Sequence, residues 1–450
     1  MRDQIASLAL AERAVPRYTS YPTAPHFNAA VNGVVARQWL RELPAAASLS
    51  LYLHVPFCSA ICSYCGCHTK AVRRREPLDL YATTLEAEIA LLSRTTRARR
   101  TIHLHWGGGT PSLLGAANLR RVVARLGECF DLSQIVEHAI ELDPRSVDGR
   151  LVEALAAIGV TRVSLGVQDV NGHVQRAIGR VQPVEVVEHA ACLLRKAGIR
   201  AVNLDLMYGL PGQSVEDIRR TCEFATSLSP SRLTVFGYAH VPWLKLHQRL
   251  IDTAALPGPA ARLEQADVAR GVIETSGYAP IGLDHYARPD DPMTIALADG
   301  TLRRNFQGYT VDAADALIPF GASSIGNLPQ GYVQNAADVA GWRRAIMAGN
   351  IPVVRGIAFS MDDRLRARVI ERLMCDFDVD YGAMSRALVG DDAALDAAAD
   401  DLDALQDQGI LVRRQRSVRM TPAGRPFVRL AAAAFDGYLH RAVARHSVAV

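Results

Sequence analysis

Short apolar runs recur at near-even intervals through the middle of this chain. "SLYLHVPF" (49–56, running into Phe57), "TIHLHWG" (101–107), "HAIELD" (138–143), "RVSLGVQ" (162–168), "VNLDLMYG" (202–209) and "RLTVFGYA" (232–239) each predict a strand. Between them lie segments such as "LDLYATTLEAEIALLSR" (78–94), with apolar residues three and four apart, which predict helices. "SVEDIRRTCEFATSL" (214–228) opens on a serine cap and an acidic first turn. Strand–helix alternation sustained six times predicts a parallel α/β sheet, open or closed into a barrel.

The two ends read differently. Residues 1–45 predict an irregular leader, with Pro16, Pro22 and Pro25 breaking any helix. From residue 356 the pattern turns helical, and "GILVRRQRSVRMTPAGRPFVRL" (409–430) predicts a short hairpin followed by a helix, as in a winged-helix unit used for packing. The expected organisation is a leader over 1–45, an α/β barrel over 46–355 and a helical, winged-helix-like domain over 356–450.

Composition narrows the class. The 450 residues, about half of them apolar, suffice for two or three domains. A net charge of +4 argues against a dedicated nucleic-acid binder. Lysine occurs only at positions 70, 196 and 245, so nearly every cation is arginine, a bias of genomic composition or a match to carboxylates. No apolar run of membrane-spanning length occurs, and "MRDQIASLALAERAVPRYTS" is a poor signal peptide. The expectation is a cytoplasmic protein with reduced thiols and no membrane partner. A monomer is expected, since no apolar surface repeat stands out.

Candidate chemistry gathers at the C-terminal ends of the predicted strands, the rim where barrel-type α/β folds place active sites. Gly107 to Gly109 follow the second strand, Glu141 lies in the third, Gln168 ends the fourth, Asp205 lies in the fifth, and Tyr238 and Ala239 end the sixth. After the first strand comes "CSAICSYCGC", with Cys58, Cys62, Cys65 and Cys67 inside ten positions. Disulfides do not suit the cytosol. Structural zinc usually takes two separated pairs, and a fifth donor at His68 on the same loop is awkward. Iron–sulfur ligation is the remaining reading. Three thiolates on a four-iron cubane leave one iron open for chemistry. Cys129, Cys192, Cys222 and Cys375 are scattered, and are expected as buried small hydrophobes.

The C-x3-C-x-aromatic-C spacing at the end of a first strand resembles the radical S-adenosylmethionine (SAM) enzymes, and "WGGGTP" (106–111) supports it. The resemblance implies a partial (β/α)6 barrel, a 4Fe-4S cluster and SAM chelated to the open iron. "PRYTSYPTAPHF" (16–27), "YLHVPFCSAICSYCGCHTK" (52–70), "NLDLMYGLPGQ" (203–213), "GLDHYARPDD" (282–291) and "RNFQGYT" (304–310) narrow it. Together they resemble the oxygen-independent coproporphyrinogen III oxidase (dehydrogenase) family over nearly the whole chain.

That resemblance implies cluster ligation by Cys58, Cys62 and Cys65, with Cys67 unligated beside them. It places Tyr52, the catalytic candidate, near the cluster and substrate cavity, and Tyr64 near the adenine. Gly108, Gly109, Thr110, Glu141, Gln168, Arg180, Asp205 and Ala239 are implied as SAM contacts; a purely structural role at the rim is the alternative for Glu141, Gln168 and Asp205. Gln307 and Ile325 match positions touching a second SAM, although Ser324-Ile325-Gly326 departs from the family's Ala-Ile-Ser. The implied reaction converts two propionates of coproporphyrinogen III to vinyl groups, giving protoporphyrinogen IX, with an unidentified electron donor and acceptor. Asp284 and His285 are candidate polar contacts. A related branch binds haem as a chaperone; the "RYTSYPT" leader and "NFQGYT" favour the oxidase, and another tetrapyrrole substrate is the third reading.

Overall fold

The computed structural model describes residues 9–439; positions 1–8 and 440–450, the outer parts of the expected leader and C-terminal domain, lie outside the described residues. The six expected strands form, with ends shifted by one or two residues: β1 (Leu49–Val55), β2 (Thr101–Gly108), β3 (Glu137–Leu142), β4 (Arg162–Gln168), β5 (Ala201–Tyr208) and β6 (Arg232–Gly237). Each pairs in parallel with the next. Helices α1 (Gly33–Glu42), α2 (Glu76–Thr95), α3 (Gly115–Cys129), α4 (Gly149–Ala157), α5 (Val184–Lys196), α6 (Val215–Ser227) and α7 (Pro259–Thr275) accompany them. Ser214 caps α6, and Asp217 completes a capping box.

The sheet is larger than the pattern suggests. Antiparallel β7 (Ala279–Ile281) and β8 (His285–Ala287) extend it beyond β6. Beyond β1 come parallel β11 (Ala316–Phe320) and antiparallel β12 (Ile325–Leu328), β13 (Gly331–Asn335) and β14 (Val353–Ala358). The hairpin β9 (Arg303–Asn305) and β10 (Gly308–Thr310) stands outside it. The twelve strands run in the order β14-β13-β12-β11-β1-β2-β3-β4-β5-β6-β8-β7, an open rather than closed barrel.

Period-two alternation explains what the barrel encloses. Leu49, Leu51, Leu53 and Val55 are fully buried against the helices, as are Leu104 and Trp106, Val163 and Leu165, and Leu204 and Leu206. The intervening positions turn inward and are polar: Tyr52, His105, Glu141, Ser164, Gln168, Asn203, Asp205 and Thr234. The barrel interior is therefore a cavity that sets these polar groups among apolar ones such as Met207 and Phe236, walled by an apolar shell.

The expected leader contains a helix: α1, capped by Asn32 and placed after all three prolines, packs Ala36, Trp39 and Leu40 into the barrel core. Leu10, Val15, Tyr18 and Tyr21 instead share a second core with Leu365, Leu373, Leu402 and Phe435 of the C-terminal region. That region comprises α8 (Met361–Asp376), α9 (Tyr381–Val389), α10 (Ala399–Asp407), α11 (Val428–Ala433) and a small antiparallel sheet of Asp378–Asp380, Leu411–Arg414 and Ser417–Met420. No helix among the described residues is long and apolar enough to cross a membrane.

Candidate active site

A cavity of about 810 Å³ fills the C-terminal mouth of the barrel. Cys58, Cys62, Tyr64, Cys65, Gly108, Gly109, Thr110, Glu141, Gln168, Arg180, Asp205, Ala239 and Gln307 all line it, so residues from separate strand ends meet at one place. Tyr52 lies just behind the lining, its ring stacked on His105 at 5.8 Å and its hydroxyl 3.0 Å from His54 Nδ1. Ile325 begins β12, opposite Gln334, and does not line the cavity.

The cysteine loop leaves β1 through Phe57 and is tied down at several points. Phe57–Cys58 pair in parallel with Lys70–Ala71, closing the loop's base. The Ser63 N–H donates to Ile178 O at 2.9 Å. Three side chains of one downstream stretch grip the loop's carbonyls: His247 to Cys65 (2.6 Å), Lys245 to Cys67 (2.9 Å) and Gln248 to Tyr64 (2.8 Å). The pattern "WLKLHQRL" (243–250) carries no local sign of this role.

Donors surround the thiols. Thr69 Oγ1 lies 3.2 Å and Thr110 Oγ1 3.6 Å from Cys58 Sγ, and Arg180 donates to Cys62 Sγ at 3.6 Å. The Cys67 thiol hydrogen-bonds Cys65, which pulls Cys65 down to about 6 despite its burial; Lys245 and His247 add to the effect. The same bond holds Cys67, although exposed, well above the usual thiol value. Burial raises Cys58, with partial relief from the two threonines. Among the described residues no three His, Cys, Asp or Glu side chains converge on a point as a mononuclear metal requires. Cluster thiolates instead bind separate irons. Thiols with aimed donors beside a roomy cavity fit that group.

The three glycines are explained by close approach. A Cβ at Gly107 would stand 2.9 Å from Glu141 Oε1 and from the Tyr52 hydroxyl; one at Gly109 would meet Phe57 O at 2.5 Å. Gly108 has φ +116°, and a Cβ there would meet the His54 ring at 2.7 Å. His54 is pushed down to about 4 by burial and is neutral at physiological pH.

The far wall is built from carboxylates, amides and arginine. Glu141 accepts from the Gly108 N–H at 3.2 Å and from His105 at 3.4 Å. Burial raises its carboxyl, but these contacts more than offset that and leave it below the ordinary value. Burial raises Asp205, although Ser164 (2.7 Å) and Asn203 (2.8 Å) donate to it. Gln168 sits at φ 69°, where β4 slips register against β5; a non-glycine residue held there costs about 1–3 kcal/mol. Arg180 reaches Gly166 O (2.7 Å) and Asp143 (3.4 Å), yet its buried Nε has no partner. An unmet donor among carboxylates and left-handed backbone suits a zwitterionic ligand such as an amino acid. His54, His105, Asp143, Ser164, Asn203, Lys245, His247 and Gln248 were not singled out from the sequence; period-two alternation on β1, β2, β4 and β5 points inward at His54, His105, Ser164 and Asn203.

An open parallel barrel with a thiol loop after its first strand and a glycine turn after its second defines a radical SAM enzyme, and residues 52–225 match the radical SAM superfamily. Such an enzyme binds a 4Fe-4S cluster and SAM. Residues 359–427 match the HemN C-terminal domain. The oxygen-independent coproporphyrinogen III oxidase of Bradyrhizobium diazoefficiens is 44% identical over all of both chains, and that of Escherichia coli is 36% identical over 95% of this chain and 93% of its own. The solved structure of the Escherichia coli coproporphyrinogen III oxidase superposes with a TM-score of 0.89 at 35% identity, covering 95% of this chain and all of the other. The chain belongs to the oxygen-independent coproporphyrinogen III oxidase family.

Proposed function

We propose that this enzyme carries out the anaerobic oxidative decarboxylation of two propionate side chains of coproporphyrinogen III to vinyl groups, giving protoporphyrinogen IX in haem biosynthesis. The observation that carries the reading is the meeting of Cys58, Cys62, Cys65, Arg180, Glu141 and Asp205 around one cavity, in a chain alike over its full length to oxidases of that name. Cys58, Cys62 and Cys65 hold the cluster, and Cys67 stays unligated as their hydrogen-bond neighbour. When bound, cluster and SAM would supply the radical chemistry that removes a hydrogen atom from the propionate β-carbon.

The chain's own residues bind, orient and shield. Gly108, Gly109 and Thr110 present backbone groups to SAM, and Glu141, Gln168, Arg180, Asp205 and Ala239 complete its pocket, with Tyr64 beside the adenine. Tyr52 sits near the cluster and substrate cavity; burial first, and Glu141 next, raise its phenol well above the usual value, so it remains a neutral donor. Loss of a hydrogen atom, an electron and carbon dioxide leaves the vinyl group, and an electron acceptor takes the electron. Gln307 faces the same cavity and serves a second SAM; Ile325, the other residue matched to that site, lies outside the lining.

The working molecule is a cytoplasmic monomer without nucleic-acid or membrane partner, served by separate electron donor and acceptor. Its leader (1–45) closes the mouth of the barrel (46–355) with help from the C-terminal domain (356–450). Val15, Pro16, Arg17 and Pro25 in the cavity wall support this. Anaerobic incubation of the reconstituted enzyme with coproporphyrinogen III, SAM and a reductant tests the reading. Protoporphyrinogen IX and two carbon dioxide per substrate are expected; no decarboxylation, with stoichiometric haem binding instead, overturns it.

A further inference from the structure

Two arginine-rich places in this fold are built on opposite plans. At the barrel floor, Arg162 pairs with Glu137 at 2.6 Å and Arg232 with Asp291 at 2.8 Å, so two cations meet two anions. A second cavity, of about 380 Å³, adjoins the first and shares with it Arg17 and the end of β6, Phe236 to Ala239. Into this one come Arg17 from the leader, Arg262 from α7, Arg304 from β9 and Arg429 from α11.

Three of these cations are short of anions. Among the described residues, Arg17, Arg262 and Arg304 have no ion-pair partner and donate only to backbone carbonyls. Arg17 bonds Gly237 O (3.1 Å), Arg262 bonds Tyr238 O (3.0 Å), and Arg304 bonds Tyr18 O (3.2 Å) and Arg17 O (3.3 Å). Arg262 Nε and Arg304 Nη1 are buried without any partner. Most of the wall's acids are engaged elsewhere or exposed. Asp267 holds Arg270 at 2.7 Å, Asp376 holds Arg372 at 3.0 Å, and Glu274 is exposed; Asp284, 2.7 Å from His285, is the one carboxylate of the wall that Arg304 and Arg17 also act on, one anion against three cations. Guanidinium cannot shed its proton to relieve such crowding at ordinary pH. Burial, with Arg17 and Arg304 next, pushes even Arg429 down to about 9. Buried donors left unmet amid like charges call for an anion.

We propose that this second cavity is the carboxylate-binding part of the substrate site, where Arg17, Arg262 and Arg304 hold propionates of the tetrapyrrole that are not reacting. The inference rests on the substrate reading above. The forked guanidinium matches a carboxylate. Two of the four propionates survive both decarboxylations, so anchors of this kind serve each in turn. The shared end of β6 lets one ligand span both cavities, its reacting arm toward the thiols and its other arms among the arginines.

The test titrates coproporphyrin III, an unreactive tetracarboxylate, and its tetramethyl ester into cluster-loaded wild type, Arg17→Gln and Arg262→Gln. Iron content and SAM affinity are measured on the same samples. Each variant should weaken the tetracarboxylate roughly tenfold, the scale of one charge-assisted hydrogen bond, and leave ester binding, iron and SAM affinity unchanged. In turnover, KM should rise by a similar factor while kcat stays within about twofold. Wild-type affinity for the tetracarboxylate in both variants overturns the proposal, as does a loss of SAM affinity with porphyrin binding intact. Should Arg262→Gln lose its cluster, the exposed Arg17, with its single backbone bond, decides the matter. A wild type that fails to convert coproporphyrinogen overturns the substrate reading itself; a competent wild type with unaffected variants overturns this inference alone.

Discussion

The His247 Nε2–H donates to the backbone carbonyl of Cys65 at 2.6 Å, across 182 positions of sequence. The third thiol of the motif is thus held in place by a residue outside every strand and helix that shapes the barrel rim. Removing this contact should cost about 1–2 kcal/mol locally. His247→Ala should retain its fold by circular dichroism but lose iron to a chelator several times faster than wild type. Equal chelation rates would show that the grip is dispensable.

The four clustered cysteines should separate into three and one. Cys58→Ser, Cys62→Ser and Cys65→Ser should each lose most iron and all cleavage of SAM. Cys67→Ser should keep its iron and its cluster spectrum, because Cys67 is a hydrogen-bond neighbour of Cys65. Iron content and the SAM-induced change in the reduced cluster's paramagnetic resonance spectrum are the measurements. Cluster loss in Cys67→Ser, with retention in any of the others, would reverse the assignment.

His138 gives a pH signature. It is 2% exposed and accepts the Trp106 indole N–H at 3.0 Å, which requires an unprotonated Nε2. Burial pushes it down to about 4. The unfolded chain, with an ordinary histidine, binds the extra proton between about pH 6.5 and 4, so stability is lost as pH falls through that window, by about 3 kcal/mol in total. The thermal midpoint should therefore drop on acidification, and His138→Gln, whose amide oxygen still accepts from Trp106, should flatten part of the drop. Parallel pH profiles for the two proteins would refute it.

The leader should matter for turnover more than for the cluster. Tyr18 donates to Asp436 at 3.0 Å inside the second core, and the Tyr21 hydroxyl accepts the Gly437 N–H at 2.9 Å. Deleting residues 1–30 should abolish conversion of coproporphyrinogen, lower the thermal midpoint and leave iron content near wild type. Tyr18→Phe strands a buried carboxylate oxygen and should cost roughly 1–3 kcal/mol. Normal turnover by the truncated enzyme would reduce the leader to a packing arm.

The parallel strands and the rim were legible because both are local signals. Alternating runs such as "RVSLGVQ" mark a strand with one face against the helices and the other toward the cavity, and a residue at a strand's C-terminal end, such as Gln168, inherits its position from that strand. Strands β12 to β14 were missed because they pair antiparallel and fall outside the parallel strand–helix period. The grip of His247 on Cys65 and the convergence of Arg17, Arg262 and Arg304 were missed for a different reason. Each joins segments that share no periodicity, so only the folded chain brings them together. Helix α1 is masked in the sequence because three prolines break the pattern just upstream of the asparagine cap that starts it.

The second core also sets an order of events during synthesis. Leu10, Val15, Tyr18 and Tyr21 emerge from the ribosome first, yet the surface they bury against ends at Phe435. At ordinary translation rates that surface arrives on the order of 20–80 s later. Until then Leu10, Val15, Tyr18 and Tyr21 have no partner surface, and the second core closes only when the last-made segment meets the first-made one.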